Sequence, residues 1–275
     1  MSLTTKGEFP PAKEVGLPKR SMSDLLAPLE RAAKASPNLI ANHGAHFESG
    51  GETHELPRYL FIGPKGGGET IRIGIFAGVH GDEPEGPHAL VQFLTLLERE
   101  ANLAAGYCLF AYPVCNPVGF ENRTRHSRDG VDLNREFWRD SNEPEVKLLQ
   151  SELVAHCFHG IISLHADDSS HGFYGFAHGA TLTTNLIEPA LEAAEQFLPR
   201  NGNDRIDGFR ARNGVIRDGY QGVLSGPPKV HPRPFEIILE TPQAAPTYLK
   251  EAALVAALRS ILTEYRQFIA YAPNL

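Results

Sequence analysis

Residues 73–86 read IGIFAGVHGDEPEG, and the rest of the chain is organised around them. Residues 73–79 form a continuous apolar run, which is typical of a strand covered on both faces of a sheet. His80 follows at once, Gly81 permits a tight turn, and Pro84 suits the first turn of a helix. Since Glu83 lies in the same turn, the sequence predicts an imidazole and a carboxylate together where a core strand becomes a helix. Open α/β sheets bind ligands at that edge.

The pair His80 and Glu83 has two interpretations. Imidazole nitrogen and carboxylate oxygen both suit zinc, and two His with one Glu and an open position form a catalytic zinc set. Alternatively, the acids at positions 82, 83 and 85 are those commonly favoured near the positive end of a helix dipole. The metal interpretation requires a third ligand from another part of the chain.

The composition is that of a globular protein and argues against some classes of partner. The chain has 275 residues, of which 41% are hydrophobic and 21% charged, as in an ordinary globular protein. A net charge of −7 argues against a nucleic-acid or anionic-membrane partner. Residues 1–20 lack the apolar segment of a secretion signal. The three cysteines, at 108, 115 and 157, contain no CxxC pair and are typical of reduced thiols. We therefore expect a cytoplasmic protein, with its oligomeric state left open.

Apolar spacing predicts strands that alternate with helices. Such alternation predicts an α/β three-layer sandwich around a mixed, largely parallel central sheet. We expect residues 1–20 to be a leader segment and residues 21–275 to be a single catalytic domain. Residues 115–140 are expected to be a long loop with a functional role, and the aromatic segment 173–176 is expected to be a loop as well. The predicted deep strands are 71–79, 107–114, 160–164 and 235–239, and the predicted helices are 21–35, 85–99, 142–157, 184–197 and 247–269.

A candidate third ligand is His165. Residues 161–167, IISLHAD, repeat the pattern of an apolar strand that presents a His near its edge. If this strand and the first lie in one sheet, His80 and His165 leave it on the same side. Alternatively, His165 closes its strand by bonding to backbone. Asp167 or Asp168 is a candidate partner that orients a ligand His.

Basic residues in the loop 115–140 indicate anion binding. Arg binds carboxylates through a bidentate fork, and Asn adds a neutral donor. The alternative for any one Arg is pairing with the acids at 129, 132 or 136. The adjacent pair Asn134 and Arg135 is the more specific indication. The other arginines of the loop nearby are Arg123, Arg125 and Arg128.

In combination these segments resemble the zinc carboxypeptidases and their relatives, the succinylglutamate desuccinylases and aspartoacylases. The family pattern is HxxE, then Asn-Pro-x-Gly, an Arg, Asp-Leu-Asn-Arg, a strand-end His and a late Glu. The resemblance spans residues 78–242 and implies a zinc-carboxypeptidase-like (phosphorylase/hydrolase-like) fold. The chain has these pieces in order as His80 and Glu83, Asn116–Gly119, Arg125, Asp132–Arg135, His165 and Glu240.

The resemblance also implies roles. One zinc ion would be held by His80, Glu83 and His165. Glu240 would be the catalytic carboxylate, Arg125 would polarise the scissile carbonyl, and Asn134 with Arg135 would grip the substrate carboxylate.

Two of these choices have competitors in the sequence. Arg125 is preferred to Arg123 and Arg128 because of its distance before the Asn-Arg pair. Glu236 falls on the same strand face as Glu240, and Glu240 is preferred because it lies at the strand end, before Thr241-Pro242.

Some positions depart from the carboxypeptidase pattern. Ala166 stands where a Ser often follows the third ligand. Tyr220 lies at a suitable distance before Glu240 for the substrate-binding Tyr of the active site, although it also fits a packed loop aromatic. The segments HGDE at 80–83 and LETP at 239–242 lean toward the desuccinylases, whereas GVDLNR at 130–135 leans toward the carboxypeptidases.

The implied activity is zinc-dependent hydrolysis of an amide next to a free carboxylate, with Glu240 as general base. A small peptide would make the protein a metallocarboxypeptidase, and an N-acyl amino acid would make it a deacylase. A third alternative is a non-catalytic zinc- or ligand-binding protein.

Overall fold

A ten-stranded mixed sheet runs through the described part of the chain, which is residues 18–179 and 183–271 of a computed structural model. The strands are β1 Leu39–Asn42, β2 His46–Ser49, β3 Glu52–Glu55, β4 Arg58–Ile62, β5 Ile71–Ala77, β6 Tyr107–Tyr112, β7 Gly160–Asp167, β8 Tyr174–Gly179, β9 Arg205–Ile206, β10 Phe209–Arg212, β11 Val215–Ile216 and β12 Phe235–Pro242. The helices are α1 Met22–Ala33, α2 Glu85–Leu97, α3 Pro117–Asn122, α4 Pro144–His156, α5 Thr183–Ala194 and α6 Thr247–Tyr271.

The centre of the sheet is parallel and its flanks are mixed. The strand order is β1-β4-β6-β5-β7-β12-β8-β11-β10-β9, while β2 and β3 form a separate hairpin. Strands β6, β5, β7 and β12 run parallel to one another. Strands β4 and β8 pair antiparallel with the two ends of this parallel block. The prediction of a mixed, largely parallel sheet is confirmed.

Helices cover both faces of the sheet. One face packs its apolar side chains, such as Ile75 and Leu164, in a core shared with α1, α2, α5 and α6. The other face packs Phe76 and Tyr112 in a second core shared with α4. Burial on both faces explains why the central strands are apolar nearly throughout. The predicted three-layer α/β arrangement is therefore confirmed.

Several predicted loops are in fact structured. The segment 115–140 contains α3, which Asn116 caps by accepting a hydrogen bond from the Gly119 N–H at 2.8 Å, and a short 3₁₀ turn at Leu133–Arg135. The aromatic segment 173–176 belongs largely to β8, because its backbone pairs antiparallel with β12. That pairing joins residues about sixty positions apart, so local sequence could not indicate it.

The segment before α1 contacts the rest of the protein. Residues 1–17 of the predicted leader lie outside the described residues. Residues 18–20 precede α1 without forming helix or strand, and the Arg20 guanidinium donates to the carbonyl oxygens of Gly81 and Phe120. That residues 21–275 form a single domain stays a prediction. Among the described residues, no helix is both long enough and apolar enough to span a bilayer.

Candidate active site

Three neighbouring parallel strands bring the predicted site residues together. His80 lies three residues after the end of β5, His165 lies within β7, and Glu240 lies within β12. Strand β7 pairs with both β5 and β12, and His165 is directly opposite Glu240. The two imidazole rings are 5.0 Å apart between centroids. His80 and His165 therefore meet at one edge of the sheet, as predicted.

Glu83 joins the two histidines. Its Oε1 is 2.7 Å from His80 Nδ1, and its Oε2 is 3.0 Å from His165 Nδ1. The Ala166 N–H donates to Oε2 at 3.1 Å. One potential ligand atom from each of His80, Glu83 and His165 lies within 4.8 Å of the others, and all three residues are buried. Two imidazoles and a carboxylate at this spacing fit the donor set that holds a metal ion such as zinc.

The electrostatics of the cluster keep Glu83 ionised. Burial alone would raise the pKa of Glu83, but the charges and hydrogen bonds of His80 and His165 lower it to about 2. Burial likewise opposes protonation of His80, yet Glu83 and Asp132 raise its pKa to about 9. For His165 burial prevails, and its pKa is lowered. A carboxylate that stays charged between two imidazoles is suited to a cation.

Asp132 orients His80, a role for which the sequence had indicated Asp167 or Asp168. Its Oδ1 is 3.1 Å from His80 Nε2 and also accepts the Asn134 N–H at 3.0 Å. Asp167 instead accepts a hydrogen bond from the Tyr174 hydroxyl at 2.9 Å. An outer carboxylate of this kind fixes the orientation of a ligand His. The Asp of the DLNR segment was the available signal, although sequence alone equally allowed it to pair with Arg.

The three arginines of the loop 115–140 have different partners and lie in different places. Arg125 donates to Glu83 at 3.4 Å and to Asp132 at 3.2 Å, and it lines the cavity beside the cluster. Arg123 donates to the carbonyl of Pro18 and Arg128 to that of Ser49, and neither lines this cavity. Of the three arginines, the structure therefore places only Arg125, the one preferred from the sequence, beside the candidate metal ligands.

The other side of the cavity carries Asn134, Arg135 and Tyr220. The Arg135 guanidinium lies 4.0 Å from the centre of the Tyr220 ring, within the range of a cation–π contact. The Tyr220 hydroxyl donates to Asp207 at 2.9 Å. Asn134 uses its Oδ1 to accept the Leu224 N–H at 2.9 Å. Tyr220 thus faces the cleft with its side chain anchored, and Asp207 is a cleft residue that sequence reasoning missed.

Glu240 faces the same cavity, whose volume is about 390 Å³. Burial, together with the charges of Glu83 and Asp167, raises its pKa well above the usual value. Within residues 18–179 and 183–271, no group makes a hydrogen bond to the Glu240 carboxylate. Glu236 lies two pleats away, accepts the Gly226 N–H at 2.9 Å and does not line this cavity. Of the two candidates on this strand face, Glu240 is therefore the one that lines the cavity beside the cluster.

Two of the sequence motifs are linked by close backbone packing. A Cβ at Gly81 would lie 2.0 Å from the carbonyl carbon of Gly119, so only glycine allows the HGDE turn to approach α3 this closely. Asn116 caps α3 and also donates to the carbonyl of His126 at 3.1 Å. The Asn-Pro-x-Gly segment is therefore structural, and it holds both the turn of His80 and the loop of Arg125.

Comparison with known proteins agrees with this geometry. Residues 69–201, just under half of the chain, match the model of the succinylglutamate desuccinylase/aspartoacylase catalytic domain. The resemblance to the succinylglutamate desuccinylases and aspartoacylases is confirmed over these residues. No curated protein matches the chain.

Solved structures described as metallopeptidases or metallo-carboxypeptidases share the fold. A candidate metallopeptidase from Shewanella denitrificans superposes with a TM-score of 0.69 at 21% identity, covering 88% of this chain and 89% of its own. Another from Shewanella amazonensis gives a TM-score of 0.68 at 24% identity, covering 87% and 90%. A metallo-carboxypeptidase from Burkholderia cenocepacia gives a TM-score of 0.67 at 17% identity, covering 91% and 70%. Family match and fold together indicate a metallohydrolase of the carboxypeptidase or desuccinylase/aspartoacylase type.

Proposed function

We propose that this protein is a zinc-dependent metallocarboxypeptidase, which hydrolyses an amide bond next to a free carboxylate. The observation that carries the proposal is one cavity in which a buried His-Glu-His cluster faces Glu240 and the two guanidinium groups of Arg125 and Arg135. No residue in the described part of the chain makes a hydrogen bond to the Glu240 carboxylate. Such a hydrolysis requires three parts: metal ligands, a general base and cationic groups that donate hydrogen bonds to anions.

His80, Glu83 and His165 would hold one zinc ion, with Asp132 fixing the ring of His80. Zinc supplies Lewis acidity and a water molecule whose pKa falls to about 7. Each protein ligand is buried, so the three side chains have little freedom to lose when the ion binds. Preorganised ligands of this kind favour tight binding.

Glu240 is placed to move the proton. In the proposed reaction it takes a proton from the attacking water and later delivers it to the leaving amine. Its raised pKa, caused mainly by burial, makes this carboxylate a better proton acceptor than an exposed one. The absence of a hydrogen bond to it among the described residues leaves both oxygens free for that exchange.

The guanidinium groups would hold and polarise the substrate. Arg125, anchored by Glu83 and Asp132, stabilises the negative charge that develops on the scissile carbonyl oxygen. Arg135 and Asn134 bind the terminal carboxylate, which fixes the scissile amide within reach of the metal centre. The stacking of Arg135 on Tyr220 restrains the guanidinium before substrate arrives.

A deacylase of N-acyl amino acids is the second candidate. The family match over residues 69–201 favours it, and it would use the same residues on a smaller substrate. A non-catalytic zinc- or ligand-binding role is disfavoured, since ligands, base and both guanidinium groups face one open cavity.

The test compares amino-acid release from N-blocked dipeptides, from N-acylated amino acids and from the amidated forms of both. We expect zinc-dependent release from substrates with a free carboxylate, faster from the dipeptides. Faster turnover of N-acyl amino acids would assign the deacylase activity instead. Equal rates on free and amidated substrates, or activity that survives removal of the metal, would contradict the proposal.

A further inference from the structure

A second cavity of about 280 Å³ adjoins the cleft. Its lining shares five residues with that of the first, so the two cavities are immediate neighbours. A volume of this size lies near the lower end of those that bind small ligands. The residues that line both cavities are His178, Gly219, Tyr220, Val223 and Ile238.

Three adjacent strands form a ladder that leads from the metal cluster into this second cavity. On β7, β12 and β8 the first row is His165, Glu240 and Tyr174, set directly opposite one another. The second row is Ser163, Ile238 and Phe176, and the third is Ile161, Glu236 and His178. Side chains two residues apart share a face of a strand, so all three rows face the same side of the sheet.

The second and third rows place polar atoms in the second cavity. Ser163 is 1% exposed, and its hydroxyl has no hydrogen-bond partner in the described part of the chain. The Glu236 carboxylate is held by the Gly226 N–H at 2.9 Å through one oxygen, Oε1. Buried polar groups are seldom left unpaired in native proteins. A hydroxyl that no described residue bonds, in the same cavity as an anchored carboxylate, is therefore the arrangement expected of a site completed by a ligand that donates hydrogen bonds.

We propose that this second cavity selects a basic side chain on the leaving amino acid, with Glu236 as the residue that determines specificity. The inference rests on the proposed function, because Arg135 would fix the leaving amino acid by its carboxylate. Glu236 lies four residues before Glu240 on β12, roughly 13 Å along the strand. That separation suits a long side chain that ends in an ammonium or guanidinium group, with Ser163 accepting a further hydrogen bond from it.

The other charged groups of the cavity are less favourably placed to decide its preference. Arg217 and Arg233 line it but are exposed, so solvent and salt screen their charges. Burial lowers the pKa of His178, which keeps this imidazole neutral near pH 7. Glu236 is less exposed than Arg217 and Arg233, and its carboxylate accepts the Gly226 N–H. Its position within the cavity is therefore better fixed than that of either arginine.

Binding of free amino acids by zinc-loaded protein tests the proposal without requiring turnover. Calorimetry would compare L-lysine and L-arginine with L-norleucine, whose chain has similar length but no charge, and with L-glutamate. We expect lysine and arginine to bind at least about tenfold more tightly than norleucine, as a charged hydrogen bond allows. Tighter binding of norleucine or glutamate by the wild-type protein would overturn the assignment without any variant.

Substitution then identifies the residue responsible. Glu236→Gln should remove the preference for lysine while leaving norleucine binding unchanged, and Ser163→Ala should reduce the preference by a smaller factor. Glu192→Gln removes the same charge from an exposed position that lines neither cavity, and should change nothing. A preference for lysine that survives Glu236→Gln would exclude Glu236 as its cause.

The two proposals fail in different ways. A protein that binds lysine through Glu236 but hydrolyses no amide would contradict the proposed function alone. A protein that hydrolyses substrates ending in norleucine and lysine with equal kcat/KM, and binds both amino acids equally, would contradict the assignment of the second cavity alone.

Discussion

Glu83 and Glu240 face one cavity, yet their surroundings drive them toward opposite behaviour. Glu83 accepts hydrogen bonds from the Ala166 backbone and Arg125 and contacts two imidazoles, which lower its pKa to about 2. Glu240 has no hydrogen-bond partner among the described residues, and burial raises its pKa. Carboxylates whose pKa values are driven apart take different roles in a site. These surroundings keep Glu83 charged, and in the proposed function they suit Glu240 to exchange a proton.

Replacing Glu83 by Gln should have the largest effect, because it removes the charge that joins the two imidazoles. We expect zinc to be lost and hydrolysis to be abolished. Metal content by mass spectrometry and activity on the same sample provide the check. Retention of one zinc ion per chain with normal turnover would remove Glu83 from the ligand set.

Replacing Glu240 by Gln should separate proton transfer from metal binding. We expect kcat to fall by about 10²–10⁴-fold, the range for loss of a general acid–base group. Zinc content should not change, because Glu240 is not among the clustered ligands. Unchanged turnover would remove Glu240 from the mechanism. Glu192→Gln, the same substitution at an exposed position that lines neither cavity, serves as the control.

Glu145, in the first turn of α4, shows what burial alone does to a carboxylate, because it does not line the cavity. It is 1% exposed, neither carboxylate oxygen has a hydrogen-bond partner among the described residues, and burial raises its pKa to about 7. Because the folded protein holds this proton where the unfolded chain releases it, stability should fall as pH rises from about 4.5 to about 7.

Glu145→Gln should remove that part of the pH dependence, which amounts to up to about 3 kcal/mol for a shift of this size. The free energy of unfolding, measured by urea titration for both proteins across this window, gives the difference. A difference that does not vary with pH would show that burial leaves the proton affinity of Glu145 unchanged.

The sequence indicated the positions of the clustered residues and Glu240 better than it indicated the residues and strands around them. His80 and Glu83 could be read directly, since they lie three residues apart in one turn. His165 and Glu240 required only that apolar strands be parallel and adjacent, which the alternation of strands with helices indicates. Asp207 could not be found, because it enters the cleft from the turn between β9 and β10, where it has a positive φ of 49°. Strand β8 was missed because its pairing with β12 is distant in sequence.

Replacing Arg135 by Ala should raise KM for substrates with a free carboxylate by about 10–100-fold, as expected for a charged hydrogen bond. The value of kcat should change less, because the Arg135 guanidinium contacts the Asn134 carbonyl and the Tyr220 ring and none of the three clustered residues. Amidated substrates supply the control. An equal effect on free and amidated substrates would argue against a carboxylate grip.

Replacing Tyr220 by Phe should have the smallest effect. The variant keeps the ring beneath Arg135 and removes the hydroxyl that bonds Asp207, so we expect a rise in KM of only a few fold, in line with one hydrogen bond. Asp207→Asn should act similarly, since an amide oxygen can still accept the hydroxyl. A loss comparable with that of Glu240→Gln would instead give the Tyr220 hydroxyl a direct part in the reaction.

In the proposed site, His80, Glu83 and His165 hold one metal ion opposite Glu240. Diffraction from crystals grown with zinc, recorded on both sides of the zinc absorption edge, tests it most directly. We predict one anomalous peak at coordination distance, about 2 Å, from all three side chains, with Glu240 facing it across the cavity. A peak elsewhere, or a metal that lacks any one of the three ligands, would contradict the account.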